Sequence, residues 1–270
     1  MGIEALSFEL VVARTLAQLA DARAVRASAY GHHVPELAHT MRQPDPIDLL
    51  SHTVVLLARD KASGAPLGTA RIATNARRPL LIERSYVLPD GMRDGHLAEI
   101  TRLAVAPAAD DRLVKRALMK ACYLVCQALQ VQKMVIGARS AALIRGYRDL
   151  GFECLTQNSG PVPLAHAGGL AHHVLAFDVP SAERVWHAIS HPLHTWMVRT
   201  FHPDIDVSPA PNYDPTGESR SPNPLGPPGP PLRRRTAEPS GASASPMLRV
   251  AAAASSAREN GLVTTSSIPA

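Results

Sequence analysis

Residues 98–107 read AEITRLAVAP, a short run rich in Ile, Leu and Val that a proline closes. Its length and apolar content predict a buried β-strand. Two charges sit inside it, Glu99 and Arg102, and strict period-two alternation sends them to opposite faces of the sheet. A fully buried strand tolerates a charge only where that charge finds a partner or lines a cavity. Fold and function therefore both turn on what surrounds Glu99.

The flanking sequence supplies the rest of a sheet. HTVVLLARD (52–60) and LGTARIAT (67–74) read as two strands joined by the turn residues of KASGAP, a hairpin. RRPLLIER (77–84) adds a short segment, and LPDGMRDG (88–95) a turn. Downstream, RLVKRALMKACYLVCQALQ (112–130) places Val114, Leu118, Ala121, Val125 and Ala128 at helical spacing, capped by Asp110 or Asp111. KMVIGAR (133–139) is a further buried strand. Ser140 caps the helix AALIRGYRDL, which Gly151 stops in a left-handed position.

FECL and HHVLAFDV make the last strands, and AERVWHAISHPLHTWMVRTF (182–201) reads as a C-terminal helix interrupted near Pro192. Before the hairpin, SFELVVAR is a strand, and TLAQ gives Thr15 and Gln18 the spacing of a capping box for a helix to about Gly31. A loop containing QPDPIDLL follows, where two prolines forbid a long helix. The order predicts an α/β or α+β fold, a mixed sheet covered by helices.

Composition sets the limits of the folded part. Of the 24 prolines, 13 lie from Pro203 onward, with Tyr213 the one aromatic there. Such a stretch cannot bury enough apolar surface to offset its ordering entropy. Residues 203–270 are therefore expected to be a disordered tail behind a single domain at 1–202. The tail's six Arg balance its six Asp and Glu, so the formal charge of +5 belongs to residues 1–202. That is too little clustered charge, with too few aromatics, for a nucleic-acid binder, and it fits an acidic partner or anionic substrate better. The triplet Arg233–Arg235 is either a small anion patch or a solubilising feature.

Cys122, Cys126 and Cys154 lack metal-like spacing, and the pairs His32–His33 and His172–His173 lack it too, so no metal is expected. Cys122 and Cys126 share one face of an apolar helix and read as core. MGIEALSFEL has acids where a signal peptide needs bases, and no apolar run is long enough to span a bilayer, so a cytoplasmic location is expected.

The order of elements, with YRDLGF at 147–152, resembles the GNAT acyltransferase fold. Within it the chain is more specifically similar to the branch of acyl-homoserine-lactone (autoinducer) synthases and N-acyl amino acid synthases. AEITRLAV resembles that branch's Glu-x-Ser/Thr-Arg strand, with the acid at Glu99 and the arginine at Arg102. PLGTARI matches its arginine-bearing strand at Arg71, and DPID its paired aspartates at Asp45 and Asp48. Arg26 lies on the first helix where the branch also keeps an arginine, followed by Tyr30. Leu103 stands where autoinducer synthases have Phe, and Trp186 and Trp196 lie far downstream, which favours the N-acyl amino acid synthase side.

The resemblance implies an N-acyltransferase moving a fatty acyl group from acyl carrier protein to the α-amine of an amino acid. Acyl-phosphopantetheine would be the co-substrate, with acyl-CoA the alternative. Strands 98–105 and 134–138 would splay to hold the pantetheine arm. Glu99 would take the ammonium proton, or it is one half of a structural ion pair. Asp45, Asp48, Arg71 and Arg102 would form a charge network that fixes the loop and grips the acceptor's carboxylate, with Arg102, opposite Glu99, holding structure rather than touching the same substrate atom; alternatively DPID is a turn with capping aspartates. Tyr147 is either a general acid or packing against Phe152.

The link APAADDRLVKRAL (106–118) has no glycine and two aspartates where a coenzyme A pyrophosphate would approach. Arg112, Lys115 and Arg116, with Lys120, crowd the start of that helix, where its dipole disfavours cations. They are the candidate docking face for an acidic carrier protein, or a solvated basic face. The rival readings are an adenosylmethionine-dependent homoserine-lactone synthase, an acetyl-CoA GNAT enzyme, and a non-catalytic carrier-protein-binding module.

Overall fold

A computed structural model of the protein describes residues 2–33, 35–107, 109 and 111–208. The Arg233–Arg235 triplet, the expected cap at Asp110 and nearly all of 203–270 lie outside them.

A mixed sheet forms the centre. In chain order its strands are β1 (Gly2–Ile3), β2 (Phe8–Val12), β3 (Thr53–Asp60), β4 (Pro66–Thr74), β5 (Leu97–Val105), β6 (Lys133–Ala138), β7 (Glu153–Cys154), β8 (Val162–Leu164), β9 (Leu170–Asp178), β10 (Thr200–Phe201) and β11 (Ile205–Asp206). Across the main sheet they run β11-β2-β3-β4-β5-β6-β9-β7, with β8 also on β9 and β1 paired separately with β10. β5–β6, β2–β11 and β1–β10 are parallel; the other pairs are antiparallel. The helices are α1 (Leu16–His33), α2 (Pro35–Arg42), α3 (Asp90–Arg93), α4 (Asp111–Ala128), α5 (Ala141–Asp149) and α6 (Ala182–Ala188).

Local chemistry explains several boundaries. At the start of α1, Gln18 N–H donates to Thr15 Oγ1 at 3.2 Å while Gln18 Oε1 accepts from Thr15 N–H at 3.1 Å, the expected reciprocal cap. Ser140 Oγ accepts from Leu143 N–H at 3.2 Å to open α5, and Gly151 ends it at φ 98°. Helix α2 replaces the loop expected after Gly31: Pro35 occupies its first turn, where a missing N–H costs nothing. The expected C-terminal helix stops at Ala188, and Thr195–Arg199 forms a single π turn.

Strand alternation sorts the core into two faces. Leu56, Ala58, Ala70, Ile72, Ala98, Ile100, Met134 and Ile136 face the large core under α4, which contributes Val114, Leu118, Cys122 and Val125. Val55 and Leu57 pack against Leu19 and Ala22 of α1. Leu97 and Val135 lie beneath Leu80, Ile82 and Leu88 on the other face. Gly68 lets β4 approach α4, because a Cβ there would lie 2.6 Å from Val114 Cγ1 and 3.0 Å from Leu118 Cδ1. Gly68→Ala is expected to lower unfolding stability by about 1–3 kcal/mol through overpacking. Urea titration checks this, and an unchanged midpoint would mean that α4 yields freely.

The boundary expected at 202 falls too early. Ile205 and Asp206 pair with Leu10 and Val11, Asp204 Oδ2 accepts from Leu6 N–H at 2.7 Å, and Lys61 pairs with Asp204 at 2.7 Å. Proline-rich composition begins just beyond these residues and masks them in a windowed reading. Lys120 anchors the same region: its Nζ donates to the carbonyls of Trp196 and Thr200 at 2.8 and 2.6 Å and lies 2.8 Å from His202 Nδ1. Burial pushes its pKa down to about 8, which the charge of Glu4 partly offsets.

Candidate active site

The parallel strands β5 and β6 pair only from Leu97↔Lys133 to Ile100↔Ile136. Beyond that point β5 stays with β4 and β6 with β9, so the sheet opens. Two adjoining cavities fill the opening, of about 540 and 380 Å3, and share Tyr30, Ile100, Thr101, Arg102, Gly137, Arg139 and His172 on their walls. The larger runs along β5 to Pro107 and reaches Lys115 and Tyr147; the smaller is lined by Met41, Leu164 and His166.

A β-bulge marks the split. Arg71 pairs with Thr101 and Thr69 with Ala104, so Ala70 alone faces Arg102 and Leu103, and Arg102 sits at φ 55°. The left-handed region is unfavourable for arginine, and such bulges re-aim side chains. Strict alternation predicted Arg102 opposite Glu99; the bulge overturns this. Arg102 turns to the α1 side, where its Nη1 lies 3.3 Å from Met41 Sδ and its Nη2 3.7 Å from Asp45 Oδ2.

There it meets a buried charge network. Arg71 Nη1 contacts Asp45 Oδ2 at 2.6 Å and Asp48 Oδ1 at 3.3 Å, while its Nε donates to Thr101 Oγ1 at 2.9 Å. Arg26 Nη1 holds Asp48 Oδ2 at 2.6 Å. DPID is both things the sequence allowed: Asp45 Oδ1 caps the 3-10 turn Pro46–Leu49 through Ile47 N–H, and its other oxygen joins the network. Burial works to raise the Asp45 pKa, but the charge and hydrogen bond of Arg71 outweigh it and hold it low. Three guanidiniums face two carboxylates, and Arg26 Nε and Nη2 and Arg71 Nη2 are buried without partners among the described residues. The network has cationic hydrogen-bonding capacity to spare.

Glu99 is on the same face but behind the cleft wall, 1% exposed. Its Oε2 accepts from Ile82 N–H at 3.2 Å, and His166 Nε2 lies 3.3 Å from its Oε1. Burial pushes its pKa up to about 7 against the opposing pull of the Ile82 and Leu81 amides and the Arg71 charge. A carboxyl pointing straight into the cleft, as expected from the sequence, is not what the fold provides: His166 stands between. That histidine, in PLAHAGG (163–169), escaped the sequence reading, as did Arg139.

Tyr30 borders both cavities, with its hydroxyl 3.5 Å from Leu103 O; burial raises its pKa. Tyr147 packs against Phe152 at 5.5 Å between centroids and also borders the larger cavity. Cys122 and Cys126 are core thiols whose pKa burial raises, that of Cys126 to about 12. The basic cluster on α4 does not stay together. Arg112 is exposed, Lys115 Nζ lies 5.9 Å over the Tyr147 ring at the cleft, and Arg116 stacks 5.6 Å over Trp196. Lys120 is buried under the C-terminal segment. Among the described residues no group of three His, Cys, Asp or Glu is arranged to hold a metal, and no helix is long and apolar enough to cross a membrane.

The family model of the N-acyl amino acid synthase FeeM matches residues 21–163, just over half of the 270-residue chain and most of the residues that line this cleft. Among solved structures, FeeM from uncultured soil microbes is similar over 67% of this chain and 96% of its own, at 13% identity and a TM-score of 0.50. A putative GNAT acetyltransferase from Desulfovibrio desulfuricans is similar over 64% and 99%, at 15% identity and 0.46. The CoA-dependent acyl-homoserine lactone synthase BjaI is similar over 72% and 93%, at 17% identity and 0.45. No curated protein matches the chain. At 13% identity the FeeM structure shows the fold alone, and the family match carries the rest. The chain belongs to the FeeM family of N-acyl amino acid synthases and is an acyltransferase.

Proposed function

We propose that the protein transfers a fatty acyl group from acyl carrier protein to the α-amine of a free amino acid in one direct step. The carrying observation is the opening between β5 and β6, whose wall joins an arginine-rich network to a buried carboxylate. The donor's pantetheine arm lies along β5 beyond Ile100, pairing its amides with backbone that has lost its β6 neighbour. The bulge leaves one residue of β5 without a β4 counterpart, a candidate N–H partner for the thioester carbonyl.

The smaller cavity takes the acceptor. Arg102, which borders it and holds Asp45 only at 3.7 Å, binds the acceptor carboxylate, and Arg71, Arg26, Asp45 and Asp48 hold Arg102 and the loop in place. Tyr30 separates the two reactants. Glu99 is the final acceptor of the ammonium proton, its raised pKa suiting a base that works near neutrality. A glycine-free link at 106–118 favours a donor with a single phosphate over coenzyme A, with exposed Arg112 and, at the cleft mouth, Lys115 meeting the carrier protein.

Mass spectrometry of expressing cells tests the reading. N-acyl amino acids are expected in the extract and absent from the empty-vector control. With purified enzyme, acyl carrier protein is expected to outperform acyl-CoA as donor. Faster turnover from acyl-CoA would reverse the donor assignment, and no N-acyl amino acid at all would sink the acceptor class.

A further inference from the structure

Acyl transfer from a thioester to an ammonium takes two protons off nitrogen and puts one on sulfur. Glu99 takes the first from the acceptor. A second group has to take the other from the adduct and supply the departing thiolate. That group must border both reactants, on the wall that the two cavities share.

His172 stands there. It lines both cavities together with Ile100, the last residue of β5 to pair with β6, and Gly137, the first of β6 beyond that pairing. The ring packs beside bare backbone: a Cβ on Gly137 would lie 3.4 Å from His172 Cδ2 and 3.1 Å from Leu164 Cδ1. Its Nδ1 lies 2.6 Å from Leu170 O, and a carbonyl only accepts, so the ring proton is on Nδ1. Nε2 is left with a free lone pair. The ring is half-buried, and Nε2 has no partner among the described residues; unlike His166 Nδ1, it is not sealed from solvent.

We propose, on the N-acyltransferase reading above, that His172 is the proton shuttle of the breakdown step, taking the adduct's second proton at Nε2 and giving it to the leaving thiolate. The step balances within the site. The amine, freed of one proton to Glu99, forms the C–N bond as the carbonyl electron pair moves to oxygen. The adduct nitrogen then passes its extra proton to Nε2. As the oxyanion re-forms the carbonyl, the C–S bond breaks and its electron pair goes to sulfur. The Nε2 proton follows to sulfur, and the ring returns to the neutral tautomer in which it began.

The surroundings of the ring suit this task. Burial, helped by the charge of Arg139, outweighs the Leu170 carbonyl bond and holds its pKa below the ordinary 6.5. An alkyl thiol keeps its proton up to about pH 8.5, so delivery from the imidazolium to sulfur runs downhill. Tyr30 also borders both cavities, but burial raises its pKa and makes it a weaker acid than that thiol. Tyr147 borders the larger cavity alone among the two, and burial pushes its pKa up as well.

The test uses the full-length enzyme, a mixture of saturated acyl carrier proteins and a mixture of the protein amino acids, with N-acyl products read by mass spectrometry. Acyl thiophenol esters serve as a second donor, because their acidic thiol departs without a proton. His172→Gln can still donate to Leu170 O but carries no proton across. It is expected to lose about 100-fold in kcat/KM on acyl carrier protein and less than about 5-fold on the thiophenol esters. Equal losses on both donors, the mark of a merely structural ring, overturn the shuttle. In His172→Ala, imidazole added at fixed pH is expected to raise turnover from acyl carrier protein in proportion to its concentration. No response from the folded variant overturns the shuttle too. In the wild type, turnover should vary little across thioesters of increasingly basic thiols; a steep fall is a third contrary result and needs no variant. A wild-type enzyme that forms no product from any donor identifies failure of the acyltransferase reading itself, and the shuttle falls with it.

Discussion

At pH 8, Glu99→Gln is expected to resist urea better than the wild type while turning over about 100 to 10,000 times more slowly. Both effects come from one buried carboxyl. In the unfolded chain Glu99 titrates near its ordinary 4.5, and in the fold burial raises it to about 7. Below pH 4.5 both states hold the proton and the group contributes its full stability. As pH rises toward 7 the unfolded chain gives up the proton first, so stability falls through this window and levels off above it. The loss amounts to about 3 kcal/mol. A glutamine never ionises, and its side-chain oxygen can still accept from Ile82 N–H. Stability curves for the two proteins should therefore meet near pH 4.5 and part steadily toward pH 8. Wild-type kcat/KM should climb through pH 7 as the base ionises. Parallel stability curves would show that Glu99 ionises normally, and undiminished product would remove it from the mechanism.

Asp48→Ala is expected to cost about 3–5 kcal/mol in urea unfolding. Asp48 and its partners Arg26 and Arg71 have side chains only 1–2% exposed. Removing the carboxylate strips Arg26 of its one ion pair among the described residues and leaves Arg71 to Asp45 alone. Uncompensated buried charge makes this change severe, rather than the intrinsic worth of the bond. Replacing Arg26 and Asp48 together by Met and Leu should therefore recover much of the loss. Asp45, with a side chain 21% exposed, should cost less when changed to Ala, since water can reach the guanidiniums it leaves. A cost below about 1 kcal/mol for Asp48→Ala would mean that the network admits water freely.

Locally encoded features were legible. Thr15 with Gln18, Ser140, Gly151 and the 52–74 hairpin each carry their instruction within a few residues, and the structure follows them. The apolar stripe of α4 and the β5 run fixed which elements would be central. What escaped depends on distant partners. The face taken by Arg102 is set by a bulge whose other half is Ala70 on a neighbouring strand, so no window around 98–107 contains it. His166 lies 67 residues from Glu99 along the chain, in a Gly-containing turn that by itself signals only a turn. The two-residue strands β1 and β10 have no pattern to read, and their pairing across 198 positions is a product of the finished fold.

That pairing has a consequence for synthesis. Leu10 meets Ile205, so the outer border of the main sheet is finished by the last described strand, while Gly2 meets Thr200 in a separate two-stranded pair. The length of that loop adds little to the cost of closing it, which grows only with the logarithm of the number of residues. It does fix an order of events: a ribosome must translate past residue 206 before β2 acquires its second neighbour. Until then the nascent chain presents a row of unsatisfied amides and carbonyls along Phe8–Val12, an invitation to pair with another copy emerging nearby.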